Sequence, residues 1–359
     1  MVDSSISKAI DWLRFPMAFL VVMLHHSVGL FISADGVLRS LCIIFQEGIC
    51  RLAVPCFFFI SGFLFFNHLS QWDWNIWGHK LKTRVWTLLI PYVLWNIIAF
   101  LVFWGYANLT GSPTGLSQFF VDTGGIKIFW GVNGNIPIGP RALPIDIPLW
   151  FVRDLMLFSL LSPLVFCFLR ATRLYGVLLL LACFLFVPSI VPEGFFFFVI
   201  GAAVQLSNRD TMGFALKHRL FFYIISFILL IAIVVLFDNE YWRRLVKNIF
   251  LVCGIAASFC AVSRLLAHRK VHISPFLVGS SFFIFATHKI LILDNIATPI
   301  IDAILPKNGA FWPCLEFFLT PVFAVTLCLG LLFIMERFIP RTTKLLTGNR
   351  KVQVAKQSN

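Results

Sequence analysis

The sequence predicts an all-α, polytopic integral membrane protein with about ten transmembrane helices and both termini in the cytoplasm. Three observations carry this. Of 359 residues, 59% are apolar and only 13% charged, with 42 Phe, against about 45–50% apolar and about 25% charged in an ordinary soluble domain. The charged residues cluster between apolar runs, leaving too little polar skin for a water-soluble core. The apolar runs also approach the length of about 20 residues that a helix needs to cross hydrocarbon. A soluble globular enzyme is excluded.

Charge clusters and Pro/Gly breaks bound ten candidate spans, at approximately 10–32, 47–67, 84–105, 148–169, 174–191, 193–207, 219–237, 245–266, 275–294 and 311–335. The first is too long for a signal-peptide core, contains Arg14 and has no convincing cleavage site, so it is read as helix 1. The fifth and sixth are short and joined across Pro188 to Pro192, as in a tilted or re-entrant pair. A cytoplasmic N-terminus places 19 of the 29 basic residues inside, as the positive-inside bias requires. The tail carries six basic residues and no acid after Glu336, which argues for an even number of spans.

Residues 1–345 are thus one membrane domain, and 346–359 a basic, disordered tail. The long connection, 106–147, is rich in Gly, Pro, Asn and Asp and faces outward; loops of that length are usually functional. The net charge of +13 is spread over span ends with no extended basic face, which speaks for topology and phosphate or lipid contact and against nucleic acid. Nine Cys without a CxxC pair read as small buried hydrophobes, with no metal cage or disulfide framework. No internal repeat is visible, which weakens a transporter reading.

Ionisable residues within spans are functional hypotheses by default. Arg14 and His25 are separated by ten residues; eleven steps of 100° come within about 20° of three full turns, so both share one helix face about 16 Å apart. One face then carries a cation at the membrane boundary and an imidazole at depth. The plainer reading of His25 is a core histidine bonded to a neighbouring helix, and His26 points about 100° away.

The Arg14-x10-His25 spacing resembles the N-terminal signature of the membrane-bound acyltransferase-3 family. Four further segments are similar to that family in order: Pro55-Cys-Phe-Phe-Phe-Ile-Ser61-Gly62-Phe on the second span, the basic cluster Lys80, Lys82, Arg84 followed by Pro91-Tyr92, Leu149-Trp150-Phe151 after the long loop, and Ser281 to His288 with Phe285 where Tyr is common. The resemblance covers roughly residues 8–345. It implies an enzyme of a bacterial-type inner membrane that acylates hydroxyls of carbohydrate acceptors such as surface polysaccharides or lipid-linked glycans. The implied donor substrate is acyl-CoA, usually acetyl-CoA, with no permanently bound cofactor; the bilayer and the acceptor are the other partners.

Acyl transfer to a hydroxyl needs a base, and a neutral imidazole, with its ordinary pKa of about 6.5, suits that task near neutrality. His25 fills the role, with direct attack on the thioester preferred over an acyl-histidine intermediate. Lys80, Lys82, Arg84 and Arg14 form a cationic cluster suited to the donor phosphates, although topology alone also places basic residues there. Arg51 can pair with Glu47 at i,i+4, or orient acceptor or acyl carbonyl. Ser61-Gly62 permits close helix packing. Trp150 and Arg153 could stack on and donate to a sugar, or anchor the interface. His288 is a second polar site, suited to orienting the acceptor. The active site is expected among helices 1 to 3 and 9, with helices 4 to 8 as scaffold and acceptor groove. The competing readings are a polysaccharide exporter or flippase, and a structural or signalling membrane protein.

Overall fold

The computed structural model describes residues 4–26, 36–67, 69, 71–111, 113–131, 143–187, 190–207, 210–268, 273–306, 308–309 and 311–350, and among them there are helices and no strands. Backbone groups in hydrocarbon must be satisfied within the segment, which leaves the helix as the local solution for such a sequence.

Helix α1 (Ser4–His25) carries Lys8, Asp11 and Arg14 in its first half and is apolar beyond. α2 (Gly36–Phe65) and α3 (Trp74–Leu109) are continuous bodies, each with a five-residue π-helical turn, Ile44–Gly48 and Val85–Leu89. Asp73 starts α3 by accepting from the amides of Asn75 and Ile76 at 2.7 and 3.1 Å. The helix thus begins ten residues before the expected span, and the basic cluster lies inside it. α4 (Leu116–Asp122) belongs to the long connection. α5 (Trp150–Leu160) and α6 (Ser162–Phe186) follow. α6 is broken at Arg173, whose φ is 52°, where the boundary between the fourth and fifth spans is expected.

α7 (Glu193–Leu206), α8 (Thr211–Lys217) and α9 (Arg219–Val235) come next. α10 (Glu240–His268), α11 (Pro275–Ile304) and α12 (Phe311–Phe338) complete the long helices, and α13 (Pro340–Leu346) is the last helix among the described residues. Among the described residues, six helices (α2, α3, α6, α10, α11, α12) are long and apolar enough to cross a membrane, or seven if α8 and α9, bent by 72°, form one span. α1 differs through its three charges; α5 and α7 are short. The expected loss of helix after residue 294 does not occur, because α11 continues through a ten-residue π-helical stretch, His288–Ala297. Residues 27–32 of the first expected span lie outside the described residues.

α1 packs against α2, α10, α11 and α12, so its functional face is enclosed on several sides. The tightest pairing is α2 with α7: a Cβ on Gly62 would run into the Phe198 carbonyl, and one on Gly201 into that of Phe59. Gly62 thus serves close helix approach. Around this contact Phe58, Phe66, Phe158 and Phe196 to Phe198 build a fully buried aromatic core, which anchors α2 and thereby the residues it presents to α1 and α11.

Candidate active site

A cavity of about 770 Å³ opens where α1, α2, α3, α5 and α11 meet, within the usual range for small-molecule sites. One end is cationic: Arg14 from α1, Lys80 and Arg84 from α3, and Arg350 after α13, with Asp11 the acid in the lining. Ser61, Thr83, Thr87 and Ser281 add hydroxyls, and Phe57, Phe151 and Phe285 form the apolar far end. The expected helices 1, 2, 3 and 9 supply this cavity as α1, α2, α3 and α11. The expected fourth span also contributes, through α5, because Phe151 and Leu155 turn towards α2, so helices 4 to 8 are not all remote from it.

Helical periodicity sorts the basic cluster. Lys80 and Arg84 stand at i and i+4 on one face, whereas Lys82 is about 200° round from Lys80. Accordingly Lys82 is exposed and absent from the lining. Lys80 donates to the carbonyls of Phe65 and Asn67, the latter at 2.8 Å, and both Lys80 and Arg84 lie over the Phe65 ring, at 5.4 and 5.3 Å from its centroid. Arg14 pairs with Asp11 at 3.0 Å.

The two histidines lie beyond the aromatic end. The rings of His25 and His288 are 5.2 Å apart, and that of Phe285 is 6.2 Å from His288. Phe285 also meets Phe57 and Phe151, at 6.5 and 5.3 Å. Neither histidine lines the cavity itself; Phe285, which does, is the lining ring that meets His288. His288 is fully buried at the start of the π-helical stretch. Its Nδ1 lies 2.9 and 3.0 Å from the carbonyls of Ile284 and Phe285. Carbonyls only accept, so Nδ1 carries the proton and Nε2 the lone pair; Nε2 has no partner among the described residues. His25 is partly exposed, and its charged neighbours are Lys289 and Arg51. Lys289 pairs with Asp294 at 2.9 Å, and Arg51 with Glu47 at 2.8 Å, the i,i+4 pair expected from sequence. His26 is turned away and buried, 3.7 Å from Glu316.

Arg153 takes another position than a donor to a sugar requires. Trp150 packs on Phe58, ring centroids 6.2 Å apart. Arg153 is 2% exposed, bonded to Asp154 at 2.9 and 2.6 Å and to the Trp130 carbonyl, with its guanidinium over the Trp130 ring. It points inward because Asp154 beside it is equally buried, so each charge answers the other. Nearby, Tyr92 donates to the Phe129 carbonyl and Asn96 accepts from the Asp146 amide at 3.1 Å; burial pushes the Asp146 carboxyl well above the usual carboxylate range. These contacts fasten the long connection at residues 129–130 and at 146 to α3 and α5.

Three contributors escape sequence reasoning. Phe57 and Phe151 fall within segments that resemble the family, but in a chain with 42 Phe their meeting with Phe285 is set by the fold alone. Arg350 lies in a stretch that composition assigns to a tail.

A cationic, hydroxyl-lined cavity and, one phenylalanine ring away from it, a pair of imidazoles inside an apolar helical bundle suit a membrane group-transfer enzyme. Comparison with known proteins agrees: a family model described as Acyltransferase domain matches residues 7–336. The chain therefore belongs to the acyltransferase-3 family and is a multi-pass membrane acyltransferase. It is 25% identical, over 97% of its own length and 94% of the relative's, to the succinoglycan biosynthesis protein ExoH of Rhizobium meliloti (strain 1021). No solved structure matches.

Proposed function

We propose that this chain is an O-acyltransferase of a bacterial inner membrane. It moves an acetyl or similar small acyl group from cytoplasmic acyl-CoA to a hydroxyl of a carbohydrate acceptor, a surface polysaccharide or lipid-linked glycan, with His25 as general base. The observation that carries the reading is that one cavity collects guanidinium and ammonium groups, hydroxyls and the rings of Phe57, Phe151 and Phe285, with Phe285 6.2 Å from His288 of the His25–His288 pair. A nucleotide-bearing thioester offers matching chemistry, with phosphates at one end and a reactive carbonyl at the other. The similarity to a succinoglycan biosynthesis protein supports a polysaccharide acceptor.

In this reading the thioester passes Phe57, Phe151 and Phe285, which exclude water from the reacting centre. The Nε2 lone pair of His288 takes the N–H of His25 and orients the ring, leaving its other nitrogen to accept the proton of the attacking hydroxyl. The oxygen–carbonyl bond forms, the carbon–sulfur bond breaks, and the proton held on His25 goes to the departing thiolate. The basic cavity end faces the cytoplasm, where the donor resides. α1, the two halves of α6, α5 leading into it, and α7 make up the difference between six or seven long apolar helices and ten spans, with both termini inside.

The test is a membrane-vesicle assay with labelled acetyl-CoA and isolated glycan. The parent protein transfers label to glycan, and His25→Ala, still inserted and folded, loses at least about 100-fold in rate. Full transfer by that variant removes His25 as base, and glycan movement without label identifies an exporter instead.

A further inference from the structure

The end of the described chain is held more firmly than a charged tail at a membrane surface requires. Thr343, Leu346, Thr347 and Gly348 are buried, and the Leu346 carbonyl accepts from the Trp95 indole at 3.0 Å. The chain then reverses through two residues of positive φ, Gly348 at 67° and Asn349 at 60°, closed by the Asn349 amide donating to the Lys344 carbonyl at 2.7 Å. Glycine is required at 348: besides its φ, a Cβ there would strike the Thr87 carbonyl of α3. The turn carries Arg350 back onto the cavity, where Nη1 donates to the Thr347 carbonyl at 2.9 Å and the guanidinium lies 4.2 Å over the Phe282 ring.

Among the described residues neither Arg84 nor Arg350 has a carboxylate within salt-bridge distance. Burial, then the charges of Arg14 and Arg84, draw the Arg350 pKa down to about 9, so the group stays cationic at neutral pH. Three guanidiniums facing one cavity repel one another, and only Arg14 has a compensating acid, Asp11. All three are half-buried; like charges gathered at one cavity are relieved by a ligand of opposite charge, and planar guanidiniums match phosphate oxygens bidentately.

We infer that the C-terminal turn, residues 347–350, is part of the donor site, with Arg350 joining Arg14 and Arg84 to bind the phosphate groups of the acyl donor. The inference rests on the reading of acyl-CoA as donor. It assigns the turn a binding role, delivered by the Trp95 and Thr87 contacts, and makes Arg350 a specificity residue for phosphate-bearing over phosphate-free thioesters.

The experiment measures CoA binding by the full chain in phospholipid-free detergent, together with the acetyl-CoA kinetics of transfer, for the parent, Arg350→Gln, Arg350→Lys and Gly348→Ala. Arg350→Gln is expected to weaken CoA about tenfold, raise KM for acetyl-CoA by a similar factor with kcat within about twofold, and flatten the salt dependence of binding. Arg350→Lys recovers part of the loss, and Gly348→Ala, which displaces the turn but keeps the cation, reproduces the Gln phenotype. Should Gly348→Ala fail to fold, Gln against Lys at 350 still decides. Binding of CoA by the parent with Arg350→Gln within about twofold of it overturns the inference and leaves the donor reading standing. Failure of the parent itself to bind CoA overturns the donor reading, and this inference with it.

Discussion

Arg153 and Arg350 both lay a guanidinium over an aromatic ring, 5.5 Å from Trp130 and 4.2 Å from Phe282, yet they belong to different kinds of site. Arg153 is answered by the chain itself, through Asp154 and the Trp130 carbonyl. Arg350 meets a carbonyl and two further guanidiniums across a cavity. The difference teaches how to read charge in an apolar bundle: a buried cation with its own carboxylate is part of the scaffold, and one facing space and like charge is set for a ligand. The same division separates Arg51, paired with Glu47, from Arg84, which lies over the Phe65 face and has no carboxylate partner among the described residues.

Substitutions can break or sharpen this contrast. The largest effect is expected at Arg153: Arg153→Ala strands a buried Asp154 carboxylate and should cost about 3–5 kcal/mol of stability, read as a marked fall in unfolding temperature in detergent. A variant that unfolds like the parent but loses donor affinity would move Arg153 to the binding side. A smaller change is expected for Arg84→Ala, with KM for acetyl-CoA up about tenfold and unfolding temperature little altered, since hydrogen bonds to a charged ligand are worth about 1.5–3 kcal/mol. The smallest is for Lys82→Ala, on the opposite helix face, where kinetics should stay within about twofold; a tenfold rise in KM there would show that periodicity sorts the cluster wrongly.

The sequence makes the helical membrane class legible because composition and run length are properties of the solvent a chain can live in. Arg14, His25 and His288 are legible for another reason: charge or imidazole in an apolar run is rare enough to stand out, while Ser61, Lys80 and Arg84 stand out through segments that resemble the family. The structure brings Arg14, Ser61, Lys80 and Arg84 to one cavity and sets His25 against His288. Lys82 was separable in principle, by counting 100° steps once the Asp73 cap is taken as the start of α3. Arg153 was not, because its direction depends on how the chain folds round Trp130 and Asp154. Arg350 was hidden by composition: Leu-Thr-Gly-Asn-Arg reads as a tail until Trp95 and Thr87 are found beneath it. Arg14 and His25 stand on one continuous helix, but Arg14 lines the cavity and His25 does not; His25 meets His288 instead.

The central claim is that the donor enters among Arg14, Arg84 and Arg350 and reaches His25 past Phe285. Its most direct test is an experimental structure of the full chain with a non-transferable thioether analogue of acetyl-CoA. The account predicts phosphates against those guanidiniums and the thioether sulfur beyond Phe57, Phe151 and Phe285, with the adjoining acyl carbon within about 4 Å of the His25 ring. An analogue lodged elsewhere, or one whose acyl end stops short of a closed phenylalanine wall in every particle class, would contradict it.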